Sequence, residues 1–453
     1  MATAHENRNG TELPLGPVTE LAIKSSLSPF QILLEHKVTY PPAIIKALGE
    51  LYLEYNVAFG QLVDSNNEWS TDYQHGLSGP NNSPMNFAVQ VDMLGLTPEF
   101  ILEASDLKPE VIKERIRGMI FEIENSMAMY QFMMRGGGTT HFTDRYLSVL
   151  KEVRERHGRP IALLAVTQDK YLGMMAGEFG KQPGETITNE DVLELSGFDR
   201  LFSPDEFRTY IAANDGECEY LLYVRSSDPV SRLKDPRVIV DHPLLSDPEL
   251  RRVIKANAVT FNVDAPGMPF ERQINDTKGY MQKMGIAFEI RQESDLYSSS
   301  FAAHLSRGGS FAEFTGTKLS DDFRAYLNSR GVDLELAESG EIHLRAKPAK
   351  GAFGCYGHIS ARLCDGKRFR KELRKSIDQR GSYVVQPELE TPRVTDPVSA
   401  VEYTYIDRVM LGMRNGMPIL MGGFRMLLPI DSAEAKSRRI HGNGATLWAE
   451  IRS

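Results

Sequence analysis

The sequence is poor in cysteine and tryptophan and has no long apolar run, and each shortage excludes a class of protein. It contains 3 cysteines and 2 tryptophans in 453 residues. The cysteines have neither paired spacing nor histidine neighbours, which argues against a disulfide scaffold or a zinc module and predicts reduced thiols in a cytoplasmic protein. No apolar run reaches the roughly 18 residues that a membrane span requires. We therefore expect no membrane contact.

The chain also lacks an excess of positive charge and the best-known phosphate-binding motifs. Its formal net charge is -9, which argues against nucleic acid as a partner. It has no P-loop ending in Gly-Lys-Ser/Thr and no Gly-x-Gly-x-x-Gly turn after a strand. With 41% hydrophobic and 25% charged residues, the composition is that of an ordinary globular protein. The length predicts two or three domains.

The most informative stretch is residues 341–389. It opens with alternating apolar residues at Ile342, Leu344 and Ala346, which predict a strand that delivers Lys347 to its end. Pro348 follows and, because proline has no N–H to donate, we expect it to end the strand pairing.

A glycine-rich loop follows this strand, and the apolar pattern resumes after it. The loop contains Lys350, Gly351, Gly354 and Gly357, and the next apolar residue is Ile359. Backbone N–H groups of glycines beside lysines form a site for phosphate oxygens. The pattern predicts a strand, a phosphate-covering loop and a second strand, and an ordinary glycine-rich hairpin is the alternative.

Residues 158–230 alternate between strand and helix patterns. The continuous apolar run 160–167 predicts a strand buried on both faces, further strands are expected at 198–202 and 220–224, and a helix is expected at 204–213. This order predicts a small three-layer domain. Arg225 and Asp228 follow the strand at 220–224, where side chains face the ligand crevice of an open α/β sheet. A surface ion pair is the alternative for these two residues.

A later strand, from 258 to 263, ends in oxygen ligands. Asn262 and Asp264 are two residues apart and therefore point the same way. Mg²⁺ takes ligands of this type, together with phosphates and water.

In the N-terminal part, helices are predicted at 41–63, 98–104, 108–131 and 144–157. The glycines at 136–138, with Arg135 and His141 nearby, are either an anion site or a flexible connector.

Several short motifs follow one another in a specific order between residues 158 and 453. This order resembles the circularly permuted ATP-grasp family, the carboxylate–amine ligases related to glutathionylspermidine synthase. In that family the metal-binding half precedes the lysine-bearing half. The motifs that carry the resemblance are Tyr223-x-Arg225-x-x-Asp228-Pro229, the strand ending in Asn262, Asn275-Asp276-x-Lys278, Lys347-Pro348 with its glycine loop, Val384-x-Gln386, Asp407-Arg408, Gly422-Gly423-x-Arg425 and Gly442-Asn443-Gly444-x-x-x-Trp448.

The resemblance implies a role for each matching residue. Lys278 and Lys347 become the two nucleotide lysines, and Gln386 or Glu388 presents an acceptor to adenine. Arg225 and Arg425 clamp the γ-phosphate or an acyl phosphate. The flap over the phosphates consists of Lys350, Gly351, Gly354 and Gly357, and the Mg²⁺ ligands are Asp228, Asn262 and Asp264.

The match departs from the family at two places. Ser226 and Ser227 stand where relatives usually have paired acids, and Asn275 stands in a position that is usually Asp. Asp264 fills the place of the expected acid, and Asp241 is the less favoured substitute.

The resemblance implies an α/β protein with a circularly permuted ATP-grasp fold, preceded by a Rossmann-like pre-ATP-grasp domain. We divide the chain into a mainly helical region at 1–157, the pre-ATP-grasp domain with the metal-ligand strands at 158–270, and the ATP-grasp subdomains at 271–453. The N-terminal region matches no motif. We expect it to shape the substrate pocket or a homodimer contact.

The implied activity is ATP-dependent formation of an amide or peptide bond through an acyl phosphate. ATP and Mg²⁺ are the expected nucleotide and metal, and the partners are a small carboxylate and an amine, such as an amino acid, a peptide or a polyamine. Two alternatives stay open on the same fold: a non-catalytic ATP-binding protein and a phosphotransferase.

Overall fold

The structure is a computed structural model, and it is of the mixed α/β type with several sheets. It describes residues 31–64, 77–78, 84–85, 88–124, 140–165, 193, 197–225, 247–261, 279–348, 359–365, 370–375, 377, 383–388, 390–396, 400–432, 435 and 447–452.

The described residues form helices and strands throughout the chain. The helices are α1 Pro42–Asp64, α2 Pro98–Glu103, α3 Pro109–Met119, α4 Thr140–His157, α5 Pro204–Ala213, α6 Pro248–Asn257, α7 Gly279–Lys283, α8 Ser299–Ser306, α9 Asp321–Ser329 and α10 Leu334–Ser339. The strands are β1 Gln31–Thr39, β2 Leu77–Ser78, β3 Pro84–Met85, β4 Ala88–Leu94, β5 Ile120–Glu124, β6 Ile161–Ala165, β7 Arg200–Phe202, β8 Leu221–Arg225, β9 Ala258–Phe261, β10 Phe288–Ile290, β11 His343–Pro348, β12 Ile359–Arg362, β13 Tyr383–Pro387, β14 Arg393–Thr395, β15 Glu402–Arg414, β16 Met417–Pro429 and β17 Leu447–Arg452.

The largest sheet joins the two ends of the described chain. It has seven strands in the order β1-β17-β16-β15-β4-β5, with β14 paired to β15. Strand β1 runs parallel to β17, whereas β4 pairs antiparallel with β15. Residues that the sequence predicts as a mainly helical N-terminal region therefore supply β1, β4 and β5 to a sheet whose other strands come from 393–452.

The helix predicted over 108–131 is wrong at Ile120–Glu124, and its last part, 125–131, lies outside the described residues. Helix α3 ends at Met119, and residues Ile120–Glu124 form strand β5 at the edge of the large sheet. Ile120, Phe121 and Ile123 are β-branched or aromatic, and such side chains fit a pleated, half-buried surface better than a helix. Pairing with β4 then decides the outcome, with Ile120 and Ile123 buried.

Helices cover the large sheet because small residues let them approach closely. A Cβ atom on Gly49 of α1 would lie 2.9 Å from the Cγ atom of Pro418 in β16. A Cβ atom on Gly422 of β16 would lie 3.3 Å from the Cβ atom of Phe142 in α4. The first turn of α4 therefore lies against the middle of β16.

A second, parallel sheet confirms the predicted α/β unit. Its order is β7-β6-β8-β9, with every pair parallel. The predicted strands at 160–167, 198–202 and 220–224 and the helix at 204–213 are all present, as β6, β7, β8 and α5. Helix α5 begins with a capping box, in which Ser203 and Glu206 each accept the backbone N–H of the other.

A third, antiparallel sheet contains the two strands predicted on either side of the glycine-rich segment. Its order is β10-β13-β11-β12, and β11 pairs with β12, whereas the predicted loop between them, 349–358, lies outside the described residues. Pairing with β13 reaches one residue farther than predicted, since Pro348 lies opposite Tyr383. Buried residues of α8, α9 and α10, among them Phe301, Phe323 and Ala337, pack in one cluster with Leu344 and Ala346 of β11.

No helix in the described ranges combines the length and the apolar character required to cross a bilayer.

Candidate functional site

Lys347 connects the antiparallel sheet to the edge of the large sheet. Its side chain is 2% exposed, and its ammonium group donates a hydrogen bond of 2.7 Å to the carbonyl oxygen of Phe121 in β5. The same nitrogen lies 4.0 Å from a carboxylate oxygen of Glu122 and 5.4 Å from the ring centre of Phe121. The predicted nucleotide lysine therefore reaches a second sheet, beside an acid.

Glu122 belongs to a row of residues that crosses five strands. In an antiparallel sheet, residues directly opposite each other place their side chains on the same face. The strand pairing puts Glu122, Asp92, Arg408, Phe424 and Glu450 opposite one another, on β5, β4, β15, β16 and β17. We call this set the charged row.

The centre of the charged row is a buried ion pair. The Nε and Nη2 atoms of Arg408 donate to the two carboxylate oxygens of Asp92 at 2.7 Å and 2.6 Å. Gln90 donates to one of these oxygens at 3.1 Å. Asp92 is completely buried and Arg408 is 6% exposed. A bidentate guanidinium and two nearby carboxylates in a water-poor place can bind both phosphate and a divalent cation.

The opposite face of the same strands carries a different ion pair. Asp407 accepts two hydrogen bonds from Arg425, both of 2.8 Å, one from the Tyr40 hydroxyl at 2.6 Å and one from the Leu96 N–H at 2.8 Å. Arg425 also donates to the Leu96 carbonyl at 2.6 Å and stacks on the Tyr405 ring. We call this set the Asp407 network.

The electrostatics of the Asp407 network follow from burial. Burial favours the neutral form of Arg425, but the attraction of Asp407 and its hydrogen bonds outweigh that effect, so the pKa of Arg425 lies above its ordinary value. The pKa of Tyr40 is also raised, first by burial and then by the negative charge of Asp407. Arg425 therefore stays charged and Tyr40 stays neutral near pH 7.

Both residues predicted to contact adenine, Gln386 and Glu388, lie beside Arg345, which shares a face of β11 with Lys347. Arg345 lies opposite Gln386 in the pairing of β11 with β13, and Lys347 is two residues farther along the same strand. The Gln386 amide donates to the carbonyl of Ile286 at 3.2 Å. Glu388 forms an ion pair of 2.6 Å with Arg345 and also accepts the Ser360 hydroxyl.

The two arginines predicted to clamp the phosphate, Arg425 and Arg225, lie in two different sheets. Arg425 belongs to the Asp407 network and so lies on the face of the sheet opposite the charged row. Arg225 is the last residue of β8, at the carboxyl end of the parallel sheet as the sequence predicts. The remaining predicted site residues, Lys278, Lys350, Gly351, Gly354, Gly357, Asp228, Asn262 and Asp264, lie outside the described residues.

Asp92 and Glu122 were not among the site residues predicted from the sequence. Gln90 and Asp92 alternate with apolar residues inside the strand Ala88–Leu94, and such a period-two polar pattern in a buried strand is a signal for a functional face. Glu122 was hidden because its segment was predicted as helix. Arg408 was quoted with Asp407 as a strand motif, and the structure places the two on opposite faces.

Two carboxylates of the charged row are the candidates for a magnesium ion bound together with phosphate. In the part of the chain that the structure describes, no group of three or more His, Cys, Asp and Glu residues is arranged to hold a metal ion by itself. Mg²⁺ usually binds through one or two carboxylates plus substrate phosphates and water. Both oxygens of Asp92 accept hydrogen bonds from Arg408, so Mg²⁺ would have to displace Arg408 from Asp92, whereas Glu122 lies 4.0 Å from Lys347. No protein family model matches the chain.

Proposed function

We propose that the chain is an ATP-dependent carboxylate–amine ligase of the ATP-grasp type. One observation carries the proposal: Lys347 stands near the end of the strand that precedes the glycine-rich segment 349–358, and its ammonium group lies 4.0 Å from Glu122 in the charged row. A lysine beside an acid, in a sheet whose neighbouring strands carry a second acid and a bidentate arginine, is suited to a metal–triphosphate complex.

In this proposal the nucleotide lies between the antiparallel sheet and the charged row. Lys347 neutralises phosphate oxygens, and Lys350 with the loop glycines Gly351, Gly354 and Gly357 covers them. The adenine ring lies along β13, where Gln386 and Glu388 are the expected polar contacts. Lys278 is the second lysine, as the family resemblance implies.

The metal would be held by Asp92 and Glu122. When bound, Mg²⁺ neutralises charge on the phosphate oxygens. Asp228, Asn262 and Asp264 remain the candidates that follow from the sequence alone. The order of the parts supports permutation, because β4 and β5 precede the lysine-bearing strand β11 in the chain.

Arg408 is the favoured phosphate clamp on this chain. It lies in the charged row beside Asp92, whereas Arg425 lies on the opposite face in hydrogen bonds to Asp407 and Leu96. A guanidinium that can exchange a carboxylate for a phosphate donates hydrogen bonds to two of the three oxygens of the transferred group. Arg225 stays a sequence-based candidate.

The reaction has two balanced steps. A carboxylate oxygen of the acid attacks the γ-phosphorus atom of ATP, the new O–P bond forms and ADP leaves. The amine nitrogen then attacks the acyl carbon, the C–N bond forms, phosphate leaves and the nitrogen loses a proton. The protein contributes positioning and positive charge, and a closed loop at 349–358 would exclude water from the acyl phosphate.

Titration of the full chain with Mg-ATP tests the nucleotide site, and a phosphate-release screen over amino acids, small peptides and polyamines tests the reaction. We expect binding by the wild type and release of ADP and phosphate with an amide product. Absence of Mg-ATP binding would refute the proposal. Binding without turnover would indicate a non-catalytic ATP-binding protein, and a phosphorylated product without an amide would indicate a phosphotransferase.

A further inference from the structure

Strand β5 contains one residue more than its neighbour β4 can pair with. Met93 lies opposite Ile120 and Asp92 lies opposite Glu122, so Phe121 has no opposite residue in β4. An extra residue of this kind is a β-bulge, which bends the strand, interrupts the hydrogen-bond ladder and redirects side chains. Bulges are enriched at sheet edges and next to functional sites. This one lies in the strand at the end of the large sheet.

Two parts of Phe121 contact the ammonium group of Lys347. The carbonyl oxygen accepts a hydrogen bond of 2.7 Å, and the centre of the ring lies 5.4 Å from the nitrogen. The ring is within the roughly 6 Å over which an aromatic face attracts a cation. It also packs against the main hydrophobic cluster, so it is not free to turn away. One residue therefore fixes the end of a long side chain from two directions.

The segment that carries Phe121 is itself held by the antiparallel-sheet side of the molecule. The Nη1 and Nη2 atoms of Arg330, which follows α9, donate to the carbonyl oxygens of Arg117 and Gly118 at 3.0 Å and 2.8 Å. Arg117 donates to the carbonyl oxygen of Met284 at 3.0 Å. Arg117 and Gly118 belong to the last turn of α3, where carbonyl groups favour a cation. The end of α3, and with it the start of β5, is thus fixed relative to β11.

We propose that Phe121 is a positioning residue for Lys347 in the nucleotide site. The inference rests on the proposed function, which makes Lys347 a phosphate ligand. A lysine side chain is long and flexible, and fixing its end lowers its conformational entropy. Because Phe121 fixes the ammonium group before the nucleotide arrives, the loss of entropy on binding is smaller and the affinity is higher. An ammonium group has three N–H donors, and the bond to the Phe121 carbonyl uses one of them.

Substitutions of the ring test this role by isothermal titration with Mg-ATP. Phe121→Leu removes the ring and keeps the bulge, and we expect it to bind about three- to tenfold more weakly than the wild type. Phe121→Tyr keeps the ring and should restore wild-type affinity. Phe100→Leu is the matched control, because it removes a ring whose centre lies 5.7 Å from the guanidinium carbon of Arg115, and it should bind as the wild type does. Equal affinities of Phe121→Leu and the wild type would overturn the proposal.

The double variant of Phe121→Leu and Lys347→Met distinguishes positioning from a general effect on the fold. A positioning residue acts only through its partner, so Phe121→Leu should cause no further loss of Mg-ATP affinity once the ammonium group is absent. A purely structural role would weaken binding by the same factor in both backgrounds. That result would contradict the proposal.

A second measurement does not depend on the nucleotide. Urea denaturation gives the shift of the midpoint for Phe121→Leu, for Lys347→Met and for the double variant. Because the ring and the ammonium group are in contact, the double variant should shift the midpoint by less than the sum of the two single shifts. Additive shifts would contradict the contact. If Phe121→Leu does not fold, Phe121→Met takes its place, since methionine also lacks the ring and adapts to irregular gaps.

The two measurements separate this inference from the proposed function. If the wild type bound no Mg-ATP while the urea midpoints showed the coupling, the ligase function would be wrong and Phe121 would still fix Lys347. If Lys347→Met weakened Mg-ATP binding and Phe121→Leu did not, Lys347 would remain a nucleotide ligand and only the positioning role of Phe121 would fall.

Discussion

Strand β15 places two successive charged residues, Asp407 and Arg408, on opposite faces of the large sheet, and the two faces are built differently. On one face, Asp407 is held by Tyr40, Leu96 and Arg425, all within the core. On the other, Arg408 holds Asp92, and the row continues to Glu122 at the sheet edge, where Lys347 arrives from another sheet.

Both ion pairs are buried and join distant parts of the chain, but only the row of Arg408 continues to the edge of the sheet. The Asp407 network gathers partners from positions as far apart as residues 40, 96 and 425, so it ties together segments that fold from distant parts of the chain. The charged row ends at an edge strand and brings acids, an arginine and a lysine to the meeting place of two sheets. The first should govern stability and the second should govern binding.

The largest expected effect is on stability, at Asp407. The substitution Asp407→Asn leaves Arg425 buried with no counter-charge, and breaking a buried pair in this way costs about 3–5 kcal/mol of unfolding free energy. Urea denaturation of the variant and the wild type measures the loss. As a control, Asp205→Asn removes an exposed partner of Arg208 and should cost less than about 1 kcal/mol. An equal loss of unfolding free energy in Asp407→Asn and Asp205→Asn would contradict a structural role for the Asp407 network.

The second effect is on nucleotide binding, at Lys347. Methionine at this position keeps much of the side-chain volume and removes the ammonium group. We expect Lys347→Met to weaken Mg-ATP binding by about 10- to 100-fold, or roughly 1.4–2.8 kcal/mol. Isothermal titration measures the change. Lys371→Met, at an exposed position, is the matched control and should bind Mg-ATP as the wild type does. Unchanged affinity in Lys347→Met would place the triphosphate elsewhere.

The third effect is on the metal requirement, at Glu122. Glutamine keeps the shape of the side chain and removes a carboxylate ligand. The Mg²⁺ concentration for half-maximal ATP binding should rise about tenfold, which corresponds to about 1.4 kcal/mol. Because Glu122 is 17% exposed and at the sheet edge, the fold should change little. An unaltered Mg²⁺ dependence in Glu122→Gln would show that Glu122 is not a metal ligand and would favour Asp228, Asn262 and Asp264.

The smallest expected effect concerns Glu206, which belongs to helix α5 and to neither the charged row nor the Asp407 network. In α5, hydrogen bonds from the backbone and hydroxyl of Ser203 lower the pKa of Glu206. A lowered pKa means that the carboxylate stabilises the fold above its unfolded pKa of about 4.3, and that this contribution disappears as the pH falls through the folded pKa.

Glutamine at position 206 removes this dependence on pH. The wild type should exceed Glu206→Gln by about 0.5 kcal/mol at pH 7 and should show no advantage at pH 2–3. Urea denaturation at the two pH values measures the difference. Glu217→Gln, which changes an exposed glutamate outside any helix, is the matched control. A constant difference between wild type and Glu206→Gln at both pH values would contradict the assignment.

Local pattern predicted the parts of the fold that depend on near neighbours. The strand that carries Lys347, its antiparallel pairing with the strand at Ile359–Arg362 and the parallel α/β unit were all predicted from periodicity and turn residues, because each is completed within a short stretch of chain. The strand Ile120–Glu124 was mistaken for helix because its partner β4 and the remaining strands of that sheet decide its conformation.

For the same reason, the charged row could not be predicted from local sequence pattern. Asp92 and Arg408 are separated by 316 positions in sequence, and only the pairing of β4 with β15 brings them together. Arg425 illustrates the reverse case, because its motif singles it out while its hydrogen bonds tie it into the core. The strand register, which the motifs do not contain, decided which face of the sheet Asp407, Arg408 and Arg425 took.

Hydrogen–deuterium exchange with and without Mg-ATP tests the central claim most directly. If the triphosphate lies between Lys347 and the charged row, nucleotide should slow exchange in both β11 (His343–Pro348) and β5 (Ile120–Glu124), with no comparable change at β8 in the parallel sheet. Slower exchange at β8 and unchanged exchange at β5 and β11 would contradict the account.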